Sequence, residues 1–456
     1  MAGDLLLRGG TLVRASGVSK ADLLIRDGKV AAIAPSMDVA AGARERGVPA
    51  LGARESDVPV LDVSGHLLFP GLVDPQVHFR EPGGEHKEDL ASGSLAAVAG
   101  GVTSYCEMPN TRPATTTKEL LEDKLARAKG RSWADHAFFV GATAANAERL
   151  AELERLPGCA GVKVFMGSST GDLLIPDDRT LERVLRSGER RVAVHAEDEE
   201  RLRARYAALG ERPSVSAHPD VRDVQCALRA ARRLLDLAEK TRRRVHLLHV
   251  STEEEVHLLR DRDLGDLVTA EVTPNHLFLA APDCYASHGT LVQMNPPLRG
   301  ARHRDALRQG LADGVLTCVG SDHAPHALSE KHEVYPRSPS GIPGVQTTLG
   351  LLLLAVRDGW LRLEDVPRVS SLGPAMVYGI QGKGDLAVGR DGDVAVVDPS
   401  RRGPLPLEWL RSRAGYSPYV GWALSGWPVL SVLRGTVVFR HGNPVGDPIG
   451  RPLAFG

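Results

Sequence analysis

Five side chains able to hold a metal or move a proton are spread through the middle of this chain: His78, Lys163, His195, His249 and Asp322. Neutral imidazole and carboxylate are ordinary Zn2+ ligands, and a catalytic metal keeps one position open for water. A metal so held lowers the pKa of its water from 15.7 towards about 7, which gives a nucleophile at neutral pH. Asp322 would then carry a proton between that nucleophile and a departing nitrogen. Lys163 is the odd member, because an ammonium beside a dication is repelled. Either it points away as an ordinary salt-bridged lysine, or its neutral amine has reacted with CO2. The resulting carbamate is an anionic oxygen ligand able to bridge two metals.

Residues so far apart need elements that converge. Eight short apolar runs read as strands: 67–79, 101–109, 136–142, 161–167, 191–197, 244–251, 267–274 and 316–325. Most are followed by an amphipathic segment, 87–100 and 223–240 being the clearest helices. Apolar strands alternating with helices predict a parallel sheet covered on both faces. Eight such units over about 300 residues fit a (β/α)8 TIM barrel of the α/β class better than an open sheet. Barrel chemistry sits at the C-terminal strand ends. Those ends hold Asp74-Pro-Gln76-Val-His78-Phe-Arg80, Met108-Pro-Asn110, Lys163, His195, His249 and Asp322-His323-Ala-Pro-His326. One histidine at a strand end is usually structural. Three, with an aspartate and a lysine at equivalent ends of five strands, predict convergence on one point.

The flanks read differently. Segments 4–13, 21–33 and 59–68, and again 391–399 and 429–445, are short strands with Gly-containing turns. The expectation is a barrel over 67–375 and one small β-sandwich domain built from both chain ends, 1–66 and 376–456. The stretch 40–57 reads as a surface excursion.

Composition excludes several classes. Among 456 residues, 42% apolar and 25% charged is a globular balance. Lys+Arg at 56 against Asp+Glu at 57 leaves no bulk electrostatic reason to bind nucleic acid or an anionic membrane. Aromatics at 4% argue against base-stacking platforms. The apolar stretch 349–356 is far too short to span a bilayer. The opening residues, with Asp4, do not read as a secretion signal. Five cysteines without C-x-x-C spacing point to a reducing cytoplasm. The Gly-rich pieces REPGG and GSSTG fit neither a dinucleotide nor a phosphate loop.

The segment FPGLVDPQVHFREPGGEHKEDLASGSLAAVAGGVTSYCEMPNTRP (69–113) resembles the opening signature of dihydroorotases, in the cyclic amidohydrolase superfamily. GVKVFMGSSTG (161–171), VHAED (194–198), LLHVST (247–252), MNPPLR (294–299) and GSDHAPHALSEK (320–331) continue the likeness in order. The resemblance implies interconversion of N-carbamoyl-L-aspartate and L-dihydroorotate, a step of pyrimidine synthesis. It implies that His78 ligates the more buried zinc and that His195 and His249 ligate the second. Carbamylated Lys163 bridges them, and Asp322 is both ligand and general acid/base. Arg80 and Asn110 would hold the substrate carboxylate, while Asn295 and His326 bond the ring or carboxylate. Ser340 and Gly341 would offer backbone contacts to the ring. His323 is expected behind the ligands; His86, His218, His276 and His332 are expected to be structural or peripheral. A homodimer is common among relatives.

One departure matters. The family has His-x-His where this chain has Gln76-Val-His78. An amide oxygen is a poor Zn2+ ligand, so the expectation is one firmly bound zinc and a second that is weaker or absent. A further departure, TPNHL (273–277), replaces one of two adjacent histidines. Two other readings stay open. An allantoinase or hydantoinase shares the barrel and lysine but needs no Arg80–Asn110 carboxylate clamp. A non-catalytic subunit supporting aspartate transcarbamoylase would explain Gln76 but not the retention of Lys163, His195, His249 and Asp322.

Overall fold

Eight strands run parallel in chain order: Leu72–Val77, Val102–Glu107, Asp135–Gly141, Cys159–Phe165, Val192–His195, Val245–Leu247, Val268–Val272 and Cys318–Val319. A parallel bridge between Val77 and His323 brings the first and last together, so the sheet is a nearly closed barrel. This is a computed structural model, and it describes residues 3–37, 58–167, 173–211 and 213–456. The excursion expected over 40–57 lies outside the described residues. The strands are buried almost throughout, as a parallel sheet under helices must be.

The helices form where the sequence signals them. Leu90–Ala99 starts at Asp89, whose carboxylate accepts from the Ser92 N–H while Ser92 Oγ faces the Asp89 N–H, a reciprocal capping box. Val224–Thr241 is capped by Asp223 and buries Ala227, Ala230, Ala231, Leu234 and Ala238, one stripe at helical spacing against the barrel.

The run expected as one strand over 67–79 divides at Gly71. Leu67–Pro70 pairs with Thr11 and Leu12 on one side and with Val394–Val397 on the other. Only Leu72–Val77 enters the barrel. A Cβ on Gly71 would lie 2.1 Å from Thr103 Oγ1, so only glycine lets the chain cross here. The eighth strand is shorter than the expected 316–325. After Val319 the backbone turns, and Asp322 adopts φ 46.

Both chain ends contribute to one mixed sheet of nine strands, joined through Leu67–Pro70. Leu7, Leu23, Leu68, Val396 and Val432 share its apolar core. The last residues leave this sheet and run back under the barrel. Leu453 N donates to His136 O, and Arg451 N to Asp135 Oδ1. The two parts are tied by a buried ion cluster: Lys383 Nζ lies 2.6 Å from Asp135, 2.8 Å from Asp391 and 2.6 Å from Asp393. Burial opposes its charge, but Asp393, Asp135 and Asp391 outweigh that and hold the lysine above its ordinary pKa. Arg434 binds Asp135 as well.

Candidate active site

Two pairs of potential ligand atoms stand at the C-terminal mouth. His78 Nε2 lies 3.1 Å from Asp322 Oδ1. The other ring nitrogen, Nδ1, faces Asn110 Oδ1 at 2.8 Å. A carbonyl oxygen only accepts, so Nδ1 carries the proton and Nε2 presents its lone pair to a carboxylate oxygen. Two acceptors at that distance need a cation or a proton between them. The second pair is His195 Nδ1 and His249 Nε2, 2.9 Å apart. His195 Nε2 donates to Glu197 Oε2 at 2.9 Å, which leaves Nδ1 as a lone-pair donor. A carboxylate behind an imidazole in this way orients metal-binding histidines. Adjacent zinc ligands stand about 3.3 Å apart, so both pairs fit the edge of a zinc site.

Gln76 does not complete that donor set. Its Nε2 donates to Asp322 Oδ1 at 3.0 Å, so the amide nitrogen, not the oxygen, faces the carboxylate. Gln76 Oε1 is buried without a hydrogen-bond partner.

Lys163 is buried on the fourth strand, beside Gly141 and Ala193 in register. Its Nζ sits 4.4 Å from the centre of the Phe165 ring. Burial pushes its pKa down to about 7, against a weaker pull from Asp322 and Glu271. Its charge is felt by both His195 and His249, so it lies in the same cup. At that pKa a large share of the side chain is neutral amine at neutral pH, the form that reacts with CO2.

Around the rim stand Arg80 and Lys87, the latter paired with Glu330 at 3.1 Å. Arg80, at φ 66, donates from Nε to Pro325 O at 3.0 Å. His326 Nε2 is 3.0 Å from Ser340 O and 3.1 Å from Arg80 Nη2. The Ser340 carbonyl only accepts, so Nε2 bears hydrogen and Arg80 Nη2 meets another donor. That guanidinium edge is left for an outside acceptor. Lys87 Nζ reaches His326 Nδ1 at 3.1 Å. Gly341 closes the loop at φ 149; a Cβ there would lie 2.3 Å from Ala324 O. Asn295 Oδ1 is 3.1 Å from His218 Nε2.

Residues 67–438 match the model of the amidohydrolase family. The chain belongs to that family. Two of its relatives are the dihydroorotase of Methanosarcina acetivorans, 37% identical over 96% of this chain and 92% of that protein, and the dihydroorotase of Bacillus cytotoxicus, 34% identical over 96% and 98%. Among solved structures, the L-hydantoinase of Arthrobacter aurescens superposes with a TM-score of 0.88 at 28% identity, covering 99% of this chain and all of that one. The dihydropyrimidinase of Brevibacillus agri gives 0.86 at 27%, over 98% and 97%.

In this amidohydrolase the structure brings to the mouth residues that the sequence did not single out. Glu197, two positions beyond His195 in VHAED, is buried and held by Arg222 at 2.6 Å. Burial raises its pKa, yet Arg222 and His195 prevail and bring it to about 2. Its two-residue spacing from His195 was the available signal. Lys87 and Lys331 lie near His326 and carried no signal beyond being basic. Of the histidines expected to be structural or peripheral, His218 and His276 are buried within the packing, His218 on Asn295 and His276 on Thr273 Oγ1 and Pro296 O. Their short polar partners lie in turns, which periodicity does not place. His323 is buried, and its Nδ1 accepts from the Gly344 N–H at 3.0 Å. All five cysteines are free and buried, and among the described residues no helix is long and apolar enough to cross a membrane.

Proposed function

We propose that this amidohydrolase is a zinc-dependent dihydroorotase, opening L-dihydroorotate to N-carbamoyl-L-aspartate and closing it again. The observation that carries the reading is the uncommitted edge of Arg80, fixed by Pro325 O and opposed by the Nε2–H of His326. A planar cation with free donors suits a substrate carboxylate. The dihydroorotase names of relatives matched over almost the full chain support the same reading.

His78, His195, His249, Lys163 as its carbamate and Asp322 would hold the metal, with one zinc firmly bound and a second weaker or absent because of Gln76. Zinc supplies Lewis acidity, polarising the ring carbonyl and making water nucleophilic near neutral pH. The chain does the rest. Arg80 and Asn110 fix the substrate carboxylate, and Asn295 and His326 steady the ring. The backbone at Ser340 and Gly341 closes over it. Asp322, kept in place by Gln76 and His78, passes its proton to the departing ring nitrogen and takes it back when the ring closes. Free buried cysteines suit a reducing cytoplasm, and a homodimer is the assembly we expect.

The likeness to solved hydantoinases favours a second reading, hydrolysis of an uncharged cyclic ureide. Turnover of L-dihydroorotate and of hydantoin by the purified chain separates the two. Arg80→Met should lower kcat/KM for dihydroorotate about 10- to 100-fold, mostly through KM, as loss of charge-assisted bonds worth about 1.5–3 kcal/mol requires. An unchanged KM removes the substrate assignment. Absence of turnover on either substrate, with no zinc bound, supports instead a subunit that props aspartate transcarbamoylase.

A further inference from the structure

Below the mouth the barrel interior holds a second group of ligand-type side chains. His246, Glu271 and Cys318 come from the sixth, seventh and eighth strands. Register brings them together. His246 pairs with Thr269, and Glu271, two residues on and so on the same face, pairs with Cys318. Their ligand atoms all lie within 4.8 Å of one another, and none of the three side chains is reached by solvent. His246 Nε2 is 3.1 Å from Glu271 Oε2 and 3.9 Å from Cys318 Sγ. Thr269 Oγ1, 2.7 Å from Nδ1, fixes the ring with Nε2 turned to the group.

We propose that His246, Glu271 and Cys318 form a buried site for a borderline-soft divalent cation such as Zn2+, separate from the donor pairs at the mouth.

Three observations carry it. The first is size. A cation seated in the triangle would lie no more than about 2.4 Å from each atom, close to zinc bond lengths of about 2.0–2.3 Å. The second is charge. One thiolate, one carboxylate and one neutral imidazole cancel a dication, so the occupied site is electrically neutral where solvent does not reach. The third is an unsatisfied oxygen. Glu271 Oε1 is fully buried and has no partner with hydrogen-bond geometry, although the His249 N–H faces the same carboxylate. Such an atom is costly in an apolar interior and is relieved by a cation. A second such group among the described residues, Asp135 with Asp391 and Asp393, differs because the Lys383 ammonium already fills it. Binding at the His246 group displaces the thiol proton and any proton on Glu271 to solvent; nothing is oxidised or reduced. The cation would stiffen the floor beneath Lys163 and Asp322, both of which Glu271 feels electrostatically.

Sulfur makes the site distinguishable, because the donor pairs at the mouth contain none. The full chain is produced in medium with Co2+ as the added metal. A thiolate-to-cobalt charge-transfer band in the near ultraviolet is expected. It should vanish in Cys318→Ser with loss of one metal per chain, and persist in Cys106→Ser. Should Cys318→Ser fail to fold, X-ray absorption at the zinc edge of the unaltered zinc protein still reports one sulfur neighbour. A cobalt protein with its mouth loaded and no thiolate band, or a zinc spectrum with only nitrogen and oxygen neighbours, overturns the proposal. In that case the three residues are a neutral hydrogen-bonded packing group. Neither result depends on which cyclic amide the enzyme opens.

Discussion

Gln76 donates its amide N–H to Asp322 Oδ1, the same oxygen that His78 Nε2 approaches. An N–H cannot ligate a cation. Gln76 is therefore placed to restrain the carboxylate rather than to ligate.

If that restraint is what limits metal loading, Gln76→His should raise zinc from about one to about two per chain at the mouth, since imidazole supplies the missing lone pair. Elemental analysis with Cys318→Ser as the common background isolates the mouth. A ratio that does not rise would mean that Gln76 is not the limiting residue.

Lys163 gives a pH prediction. Its folded pKa is pushed down to about 7, and only the neutral amine takes up CO2. Neutral amine increases as pH rises through that value. Chelator-stripped enzyme given zinc and bicarbonate should regain activity poorly at pH 6 and well at pH 8, with a midpoint near 7. Lys163→Ala should not recover under either condition. Equal recovery at both pH values would dissociate the lysine from reconstitution.

Glu197 should tune His195. Glu197→Gln removes the charge behind the ring, and loss of such a partner typically weakens metal affinity about 10- to 100-fold. Competition with a chromophoric chelator measures it. The same carboxylate has its folded pKa depressed from its ordinary 4.5 to about 2. Its contribution to stability is complete above pH 4.5 and is lost as pH falls towards 2. The acid limb of a denaturation curve should flatten over that window in Glu197→Gln.

Lys383→Met should be among the most damaging single changes outside the mouth. It leaves Asp135, Asp391 and Asp393 buried together without their common counter-ion. Breaking a buried pair from one side costs about 3–5 kcal/mol. A denaturant midpoint close to that of the unaltered chain would show that the cluster holds the two parts together less than its geometry implies.

The barrel was legible because its strands are continuous apolar runs, and their ends point to one place by topology alone. His78, His195, His249 and Asp322 could thus be brought together before any coordinates. The crossing at Gly71 was not legible, because LLFPGLVDPQVHF is apolar throughout and the break depends on contact with Thr103. The partnership of Gln76 with Asp322 was equally hidden. Sequence marks a glutamine as a missing ligand, and only the three-dimensional geometry reveals what its amide does instead. The burial of His218 and His276 depends on Asn295 and the Pro296 carbonyl, far along the chain, which leave no periodic trace.

The Arg80 guanidinium beside His326 has a kinetic consequence. A chain of net charge -1 has no general pull on anions, yet Arg80 sets a cation where an acid must enter. Encounter should therefore slow as added salt shortens the range of that field to about 8 Å at physiological ionic strength. An uncharged ring arriving at the same opening would diffuse in at a rate indifferent to salt.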